Sequence, residues 1–357
     1  MSTEPSLDGS VLVVGSGLLG ASVGLALRRR DVIVHLRDRD PEVARVAAGL
    51  GAGEDGPADQ DPSVVVVAVP PAQVGPVVAD ALADWPRAVV TDVGSVKTVP
   101  LADVTALGLD PRRYVGGHPM AGSEQSGPLA ASADLFDGRV WAVTPHDAAE
   151  EAAVETVTTL ARLCGSEPVV MTPQEHDEAV ARTSHVPHVL AVLAAARLDG
   201  APTEHLQLSG QGIRDVTRIA AGDPGLWQQI LGANAAAVAR LLSEVRSDLD
   251  RFIGELSSTT PLLESLLERG VVGTQAIPGK HGGPVRSVDS VFVLLLDQPG
   301  ELARLFADSG AEGVNIEDVR IDHVLGRPSG LVELSVREAE GERLSDALAL
   351  RGWSVHR

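Results

Sequence analysis

A histidine between glycine pairs, in Gly116-Gly117-His118-Pro119-Met120-Ala121-Gly122, can approach a bound molecule closely from a loop. With an ordinary pKa near ~6.5, histidine is the natural general base at neutral pH. The plain alternative is an exposed loop histidine without a task. Upstream, Asp92-Val93-Gly94-Ser95-Val96-Lys97-Thr98 brings a hydroxyl and an ammonium together. Taken alone it also reads as a capped turn with a solvated lysine. Composition favours chemistry, because only two of the 29 cations are lysines, Lys97 and Lys280. Further on, Ser184-His185-Val186-Pro187-His188 sets two histidines on one helix face. That spacing could suit a metal, yet no acidic or cysteine partner stands at ligand spacing. A polar pocket wall is the expectation, with no metal. Arg218 can hold a carboxylate as a bidentate fork, with Asp215 placed to steady it. Read without context, those two are helix-face charges worth little. Trp227 closes the series.

Such groups need a scaffold. Apolar runs at 11–14, 32–36, 64–69, 88–91 and 140–143 predict strands, and 18–30 and 41–50 predict helices, the second with Asp40 as N-cap. This alternation predicts a parallel sheet covered by helices. The first strand runs into Gly15-Ser16-Gly17-Leu18-Leu19-Gly20, a G-x-G-x-x-G turn that opens a helix. Gly15 permits the tight turn, Gly17 the approach of a pyrophosphate, and Gly20 close helix packing. The helix terminus offers unpaired N–H groups to the anion. Asp38, 18 residues past Gly20, is placed to bond both ribose hydroxyls. This favours NAD over NADP, although Arg37 and Arg39 flank it and an arginine could hold a 2′-phosphate. Val69, Pro70 and Asp92 end strands at the same sheet edge and complete the expected cofactor contacts.

Beyond Thr172 the pattern turns helical, over 175–197, 227–256 and 261–268. A Gly/Pro-rich stretch, 270–286, follows, and short strands at 288–296 and 331–336 flank a helix at 300–309. The expected domains are a dinucleotide-binding α/β domain (1–172), a helical domain (173–275), a linker loop (276–286) and a small α+β domain (287–357).

The chain has 357 residues, 44% apolar, which suffices for real cores. A net charge of −20 argues against nucleic acid and anionic membranes as partners. One cysteine, Cys164, allows no intrachain disulfide and no multi-thiolate metal site. The first ten residues lack the basic and apolar regions of a signal peptide, and no tract is fit to span a membrane. A cytoplasmic protein is expected.

Taken together, the glycine loop, D-V-G-S-V-K-T, G-G-H-P-M-A-G-S-E-Q-S-G, S-H-V-P-H and I-R-D-V-T-R-I-A with its downstream tryptophan resemble the prephenate dehydrogenase family in order, across residues 11–227. The resemblance implies a Rossmann domain, an all-α substrate and dimerisation domain, and a homodimer. It implies an NAD-dependent oxidative decarboxylation of prephenate to 4-hydroxyphenylpyruvate in tyrosine biosynthesis. His118 would accept the C4 hydroxyl proton, and Ser95 would orient His118. Arg218 would bind a substrate carboxylate. Ser184, His185 and His188 would line the pocket, and Lys97 would add positive potential. Glu124 would pair with Arg218 and gate access, and Trp227 would reach the neighbouring subunit's site. The departures, Val93 and Gln125, remove no reactive group. Residues 287–357 resemble an ACT domain, a βαββαβ amino-acid-sensing module, through Asp297-Gln298-Pro299-Gly300-Glu301-Leu302. That implies tyrosine, or another aromatic amino acid, as effector near Gly300 and residues 315–317. The competing readings are an arogenate dehydrogenase and a non-catalytic regulator that binds NAD and an amino acid.

Overall fold

Strands β1 (Val11–Val14), β2 (Val34–Arg37), β3 (Glu54–Asp55), β4 (Val64–Val67) and β5 (Val89–Asp92) form one sheet in the order β3-β2-β1-β4-β5. Every pairing in it is parallel. The four valines of β4 are buried on both faces, as a central parallel strand requires. Alternate residues feed two separate cores. Val11, Val13, Val64 and Val66 face one, and Leu12, Val65 and Val67 face the other. Helices α1 (Leu18–Arg28), α2 (Pro41–Gly49), α3 (Pro71–Asp84), α4 (Thr98–Ala106) and α5 (Glu151–Leu163) belong to this layer system. Asp40 caps α2 as expected, accepting from the Glu42 N–H at 3.0 Å. Cys164 is buried at the end of α5, and burial pushes its thiol pKa up, so it acts as a small apolar group.

The computed structural model describes residues 6–56, 61–122, 125–258, 262–277, 288–323 and 329–356. Glu124 and Lys280, singled out above, lie outside them. The chain divides into two units, Met1–Ser247 and Asp248–Arg357.

A second sheet contains β6 (Gly116–Pro119), β7 (Val140–Thr144) and β8 (Glu167–Val170), with β6 antiparallel and β8 parallel to β7. The expected histidine loop is thus strand β6. Glycine is needed there for close approach. A Cβ at Gly116 would lie 2.5 Å from Thr144 Oγ1, and one at Gly117 would lie 2.7 Å from the Asp92 carbonyl. The Val115 N–H donates to the Val90 carbonyl at 3.0 Å, so β6 starts beside β5.

The helical region holds α6 (Pro173–Val180), α7 (Val186–Ala195), α8 (Thr203–Leu206), α9 (Gln211–Thr217), α10 (Pro224–Ala233) and α11 (Ala235–Leu256). Two expected continuous helices are interrupted. A π turn, Ala181–His185, separates α6 from α7, and Asn234 separates α10 from α11. Thr172 and Glu175 form a reciprocal capping box at the start of α6.

In the second unit, α12 (Glu264–Gln275) runs through residues 270–275, the first part of the Gly/Pro-rich stretch. Then come β9 (Val288–Leu296), α13 (Glu301–Ala311), β10 (Ile316–His323), β11 (Ser329–Arg337), α14 (Gly341–Leu350) and β12 (Ser354–His356). The antiparallel sheet order is β10-β11-β9-β12. Its βαββαβ succession packs Val291, Val293, Leu305, Val332, Leu334 and Leu348 into one core. Gly300 turns into α13 with φ +93°, a conformation that glycine adopts without strain. Among the described residues, no helix is long and apolar enough to cross a membrane.

Candidate active site

The loop after β1 is built around close backbone approach. Gly15 has φ +96°, and a Cβ there would stand 2.3 Å from the Ala68 carbonyl. A Cβ on Gly20 would stand 1.8 Å from the Gly15 carbonyl, whereas Gly17 faces open space. Gly17 is the N-cap of α1 and brings no side-chain cap to the first turn. The Ser16 N–H donates to Asp38 Oδ2 at 2.7 Å, which ties the end of β2 to the glycine loop. The Ser16 hydroxyl is buried without a partner. An open glycine, an uncapped helix start, an orphaned hydroxyl and an anchored carboxylate fit a dinucleotide's phosphates and ribose. Leu18 and Leu19 begin α1 there, and the Val69 side chain comes within 3.1 Å of the Gly15 Cβ position. Pro70 is the N-cap of α3.

At the end of β5, Asp92 and Lys97 are both buried. The Lys97 ammonium donates to Asp92 Oδ1 and, at 2.7 Å, to the Gly117 carbonyl. Asp92 also accepts from the Gly94 N–H and the Tyr114 hydroxyl, both at 2.7 Å. Burial lowers the Lys97 pKa, against the pull of Asp92, and raises that of Tyr114 well above its ordinary value. Lys97 thus ties Asp92, at the end of β5, to the Gly117 carbonyl of β6, and Asp92 is its buried counter-charge. Ser95 lies half-buried in a crevice with Pro71, Val74, Val99 and Ala233. Among the described residues, no hydrogen bond joins Ser95 to His118.

The group that does hold His118 is His176. His118 Nδ1 lies 2.8 Å from His176 Nε2, and His176 Nδ1 lies 2.8 Å from Asp177 Oδ1. Asp177 also accepts the N–H groups of Lys97 and Thr98 at 2.8 and 2.9 Å, plus the Thr98 hydroxyl. It thereby caps α4 from α6. Burial works to raise the Asp177 pKa, but the bonds from His176, Thr98 and Lys97 prevail and hold it below its ordinary value. The His118 pKa lies well below the usual range, chiefly through burial and then through His176, Lys97 and His185.

The π turn and α7 present the remaining rings. His185 Nδ1 and the Asn234 amide nitrogen are 3.2 Å apart, and that amide donates to the Asp177 carbonyl at 2.7 Å. Burial pushes His185 down to about 4. The His188 ring stacks on Trp227, with centroids 3.5 Å apart and planes within 8°. Burial lowers its pKa as well, opposed by a bond with the Ile219 backbone, and its Nδ1 is buried without a partner. Within one chain, Trp227 thus covers the face of His188. Arg218 starts the short 3-10 turn Arg218–Ala221, next to the Ile219 that meets His188. Asp215 accepts from the Gln211 side chain at 2.8 Å. Among the described residues, no cluster of three or more His, Cys, Asp or Glu is placed to hold a metal. A cleft of about 920 Å³ opens beside Ile33, His35 and Arg162, and none of these site residues lines it.

Comparison with known proteins places this arrangement. The family model for the prephenate dehydrogenase nucleotide-binding domain matches residues 23–170, and that for its dimerization domain matches 172–268. A probable prephenate dehydrogenase, NovF, from Streptomyces niveus is 35% identical over 97% of this chain and 99% of its own length. The chain belongs to the prephenate dehydrogenase family. The Bacillus subtilis (strain 168) prephenate dehydrogenase is 28% identical, covering 94% of each chain. Among solved structures, prephenate dehydrogenase from A. aeolicus in complex with hydroxyphenyl propionate and NAD+ aligns with TM-score 0.68 and 27% identity. It covers 76% of this chain and 99% of its own. Synechocystis arogenate dehydrogenase aligns with TM-score 0.65 and 27% identity, over 74% of this chain and 98% of its own.

Against these prephenate dehydrogenase motifs, the geometry adds four residues that sequence reasoning missed: His176, Asp177, Asn234 and Tyr114. The first two sit in a polar helix start, Pro173-Gln174-Glu175-His176-Asp177-Glu178, which reads as a solvated first turn. The one available signal was the Thr172/Glu175 capping box. It fixes where α6 begins, and hence which residues lie one turn inside it.

Proposed function

We propose that the protein converts prephenate to 4-hydroxyphenylpyruvate and CO₂ in tyrosine biosynthesis. The observation that carries this reading is His118, a half-buried base on β6 held by a second histidine, in a chain of this family. NAD+ is the fitting cofactor and supplies the hydride acceptor when bound. Gly15, Ser16, Gly17, Leu18, Leu19 and Gly20 would cradle its phosphates, Asp38 its ribose, and Val69 and Pro70 would border it. His118 takes the C4 hydroxyl proton as the hydride leaves C4. Loss of the ring carboxylate as CO₂ then delivers an electron pair toward the C4 oxygen, and His118 can return the proton to form the phenol. Aromatisation supplies the driving force, so the protein's work is positioning and proton handling. Ser95 would meet the substrate hydroxyl, while Ser184, His185 and the Trp227-covered His188 wall the pocket. The test is direct: purified protein with NAD+ and prephenate should form NADH, and no NADH would defeat the reading. Arogenate in place of prephenate is the control, and a higher kcat/KM on arogenate would transfer the assignment to that substrate.

The pH dependence follows from the burial of His118. Only its neutral form can accept a proton, and its pKa is held well below the ordinary ~6.5. The acid limb of the kcat profile should accordingly fall below pH ~6.5. A kcat that keeps climbing above that value would count against His118 as the base. Arg218 is assigned to a substrate carboxylate. Arg218→Gln should raise KM by at least ~10-fold with a smaller loss in kcat, since it removes ground-state binding. An unchanged KM would exclude the contact.

The βαββαβ unit is read as an ACT module that senses tyrosine near Gly300 and residues 315–317, and a homodimer is the expected assembly. Tyrosine at millimolar concentration should inhibit the full-length enzyme. Initial rates unaffected by tyrosine, phenylalanine and tryptophan would remove that role.

A further inference from the structure

Asp177 and His176 are spent on each other and on His118, and nothing in the proposed chemistry so far uses them. Their geometry carries a consequence for proton placement. Asp177 sits where four donors converge: the His176 ring, the backbone N–H groups of Lys97 and Thr98, and the Thr98 hydroxyl. A carboxylate at a helix N-terminus with that many donors stays ionised, and an ionised carboxylate only accepts. His176 Nδ1, 2.8 Å from Asp177 Oδ1, must therefore carry the proton. In a neutral His176, Nε2 then has only a lone pair. His118 Nδ1, 2.8 Å from that nitrogen, must donate to it. The proton order along the chain is thus set from the Asp177 end.

We propose that Asp177 and His176 are positioning residues that fix His118 in its Nδ1–H tautomer, leaving Nε2 as the proton-accepting nitrogen. The inference rests on the assignment of His118 as the base. His176 and Asp177 touch neither substrate nor cofactor in this scheme; they act through His118. When His118 accepts a proton at Nε2, the imidazolium keeps its Nδ1–H bond to His176, and the Asp177 carboxylate lies one ring away to offset the charge. The charged and titratable groups that act on the relay are Lys97 and Tyr114, from beside β5 and β6, and His185 from the π turn. Of these, Lys97 and His185 disfavour a cation on His118. The relay also has a structural side. Because Asp177 binds the start of α4 and its carbonyl accepts from Asn234, the orientation of His118 depends on the seam between the sheet layer and α6, α10 and α11.

Two measurements test this on the full chain with NAD+ bound. The first is ¹⁵N NMR of ring-labelled histidines, with the His118 signals assigned by their loss in His118→Asn. A protonated Nδ1 and an unprotonated Nε2 on His118 are expected. An Nε2–H tautomer, or a His176 protonated at both nitrogens, would overturn the proposal. The second compares His176→Gln with His176→Leu. Gln can accept the His118 Nδ1–H through its carbonyl oxygen, and Leu cannot. Leu should lower kcat by ~10²-fold or more, and Gln by less than ~10-fold, with KM changed less than about threefold in both. Equal losses in the two variants would mean that His176 serves packing alone, and would sink the relay. The NMR reading does not depend on turnover. If His118→Asn kept full activity, the base assignment would fail while the tautomer remained measurable.

Discussion

His118→Asn should lower kcat for prephenate oxidation by ~10²–10⁴-fold while KM changes less than about threefold. Asparagine is the informative replacement because of where the residue sits. His118 pairs with Ala142 across β6 and β7, so its backbone is fixed by the sheet and not by its side chain. The asparagine amide can still donate toward His176 Nε2, which keeps that buried acceptor satisfied. What the variant lacks is a basic nitrogen, since an amide oxygen does not take up a proton near neutral pH. Binding groups such as Arg218 are untouched, hence the small change in KM. The check is steady-state NADH formation at saturating NAD+ over a range of prephenate. A kcat within about threefold of the parent would remove His118 from the chemistry.

Lys97→Met should cost about 3–5 kcal/mol of stability, because it strands a buried carboxylate. Methionine fills much of the lysine stem's volume, so the loss is electrostatic more than steric. Asp92 would keep only the Gly94 N–H and the Tyr114 hydroxyl as partners, at zero exposure. The Gly117 carbonyl would lose its bond from the ammonium, next to the strand that holds His118. At roughly 2–4 °C of melting temperature per kcal/mol for a unit of this size, the fall should be plain in calorimetry of the cofactor-free protein. The competing expectation, in which Lys97 lends charge to substrate binding, makes the opposite pattern: an unchanged melting temperature with a raised KM. That result would assign Lys97 to substrate binding and not to the buried pair.

The parts of the fold written in short-range pattern were legible. A strand ending in G-x-G-x-x-G, an aspartate after the second strand and a valine run each announce a local geometry, and the sheet places them together. Lys97 was flagged by its rarity, but its burial was not legible, because it depends on Tyr114, Gly117 and Asp92 converging from different elements. The same limit applies at β6. Gly116-Gly117 suggests a loose loop until Thr144, Trp141 and the Asp92 carbonyl are found where side chains would go. The helix break at Asn234 was hidden because apolar residues continue across it. Its cause is a polar side chain turned toward Asp177 and His185. Beyond the capping box that fixes the start of α6, nothing near His176 reveals its partner, a histidine 58 positions earlier in the chain.

The π turn Ala181–His185 has a bearing on how this site tolerates change in length. A π turn holds one residue more than the α-helical turn it replaces, so everything after it is rotated by about 100° from the face that an uninterrupted helix would present. Here that offset sets the azimuth of α7, and so whether the His188 ring lies flat under Trp227 while His185 still meets Asn234. Removing a single residue from 181–183 would restore an ordinary helix and keep Ser184, His185 and His188, yet turn both rings out of alignment. Substitutions in this turn are local events, whereas an insertion or deletion there acts as a rotation of the pocket wall.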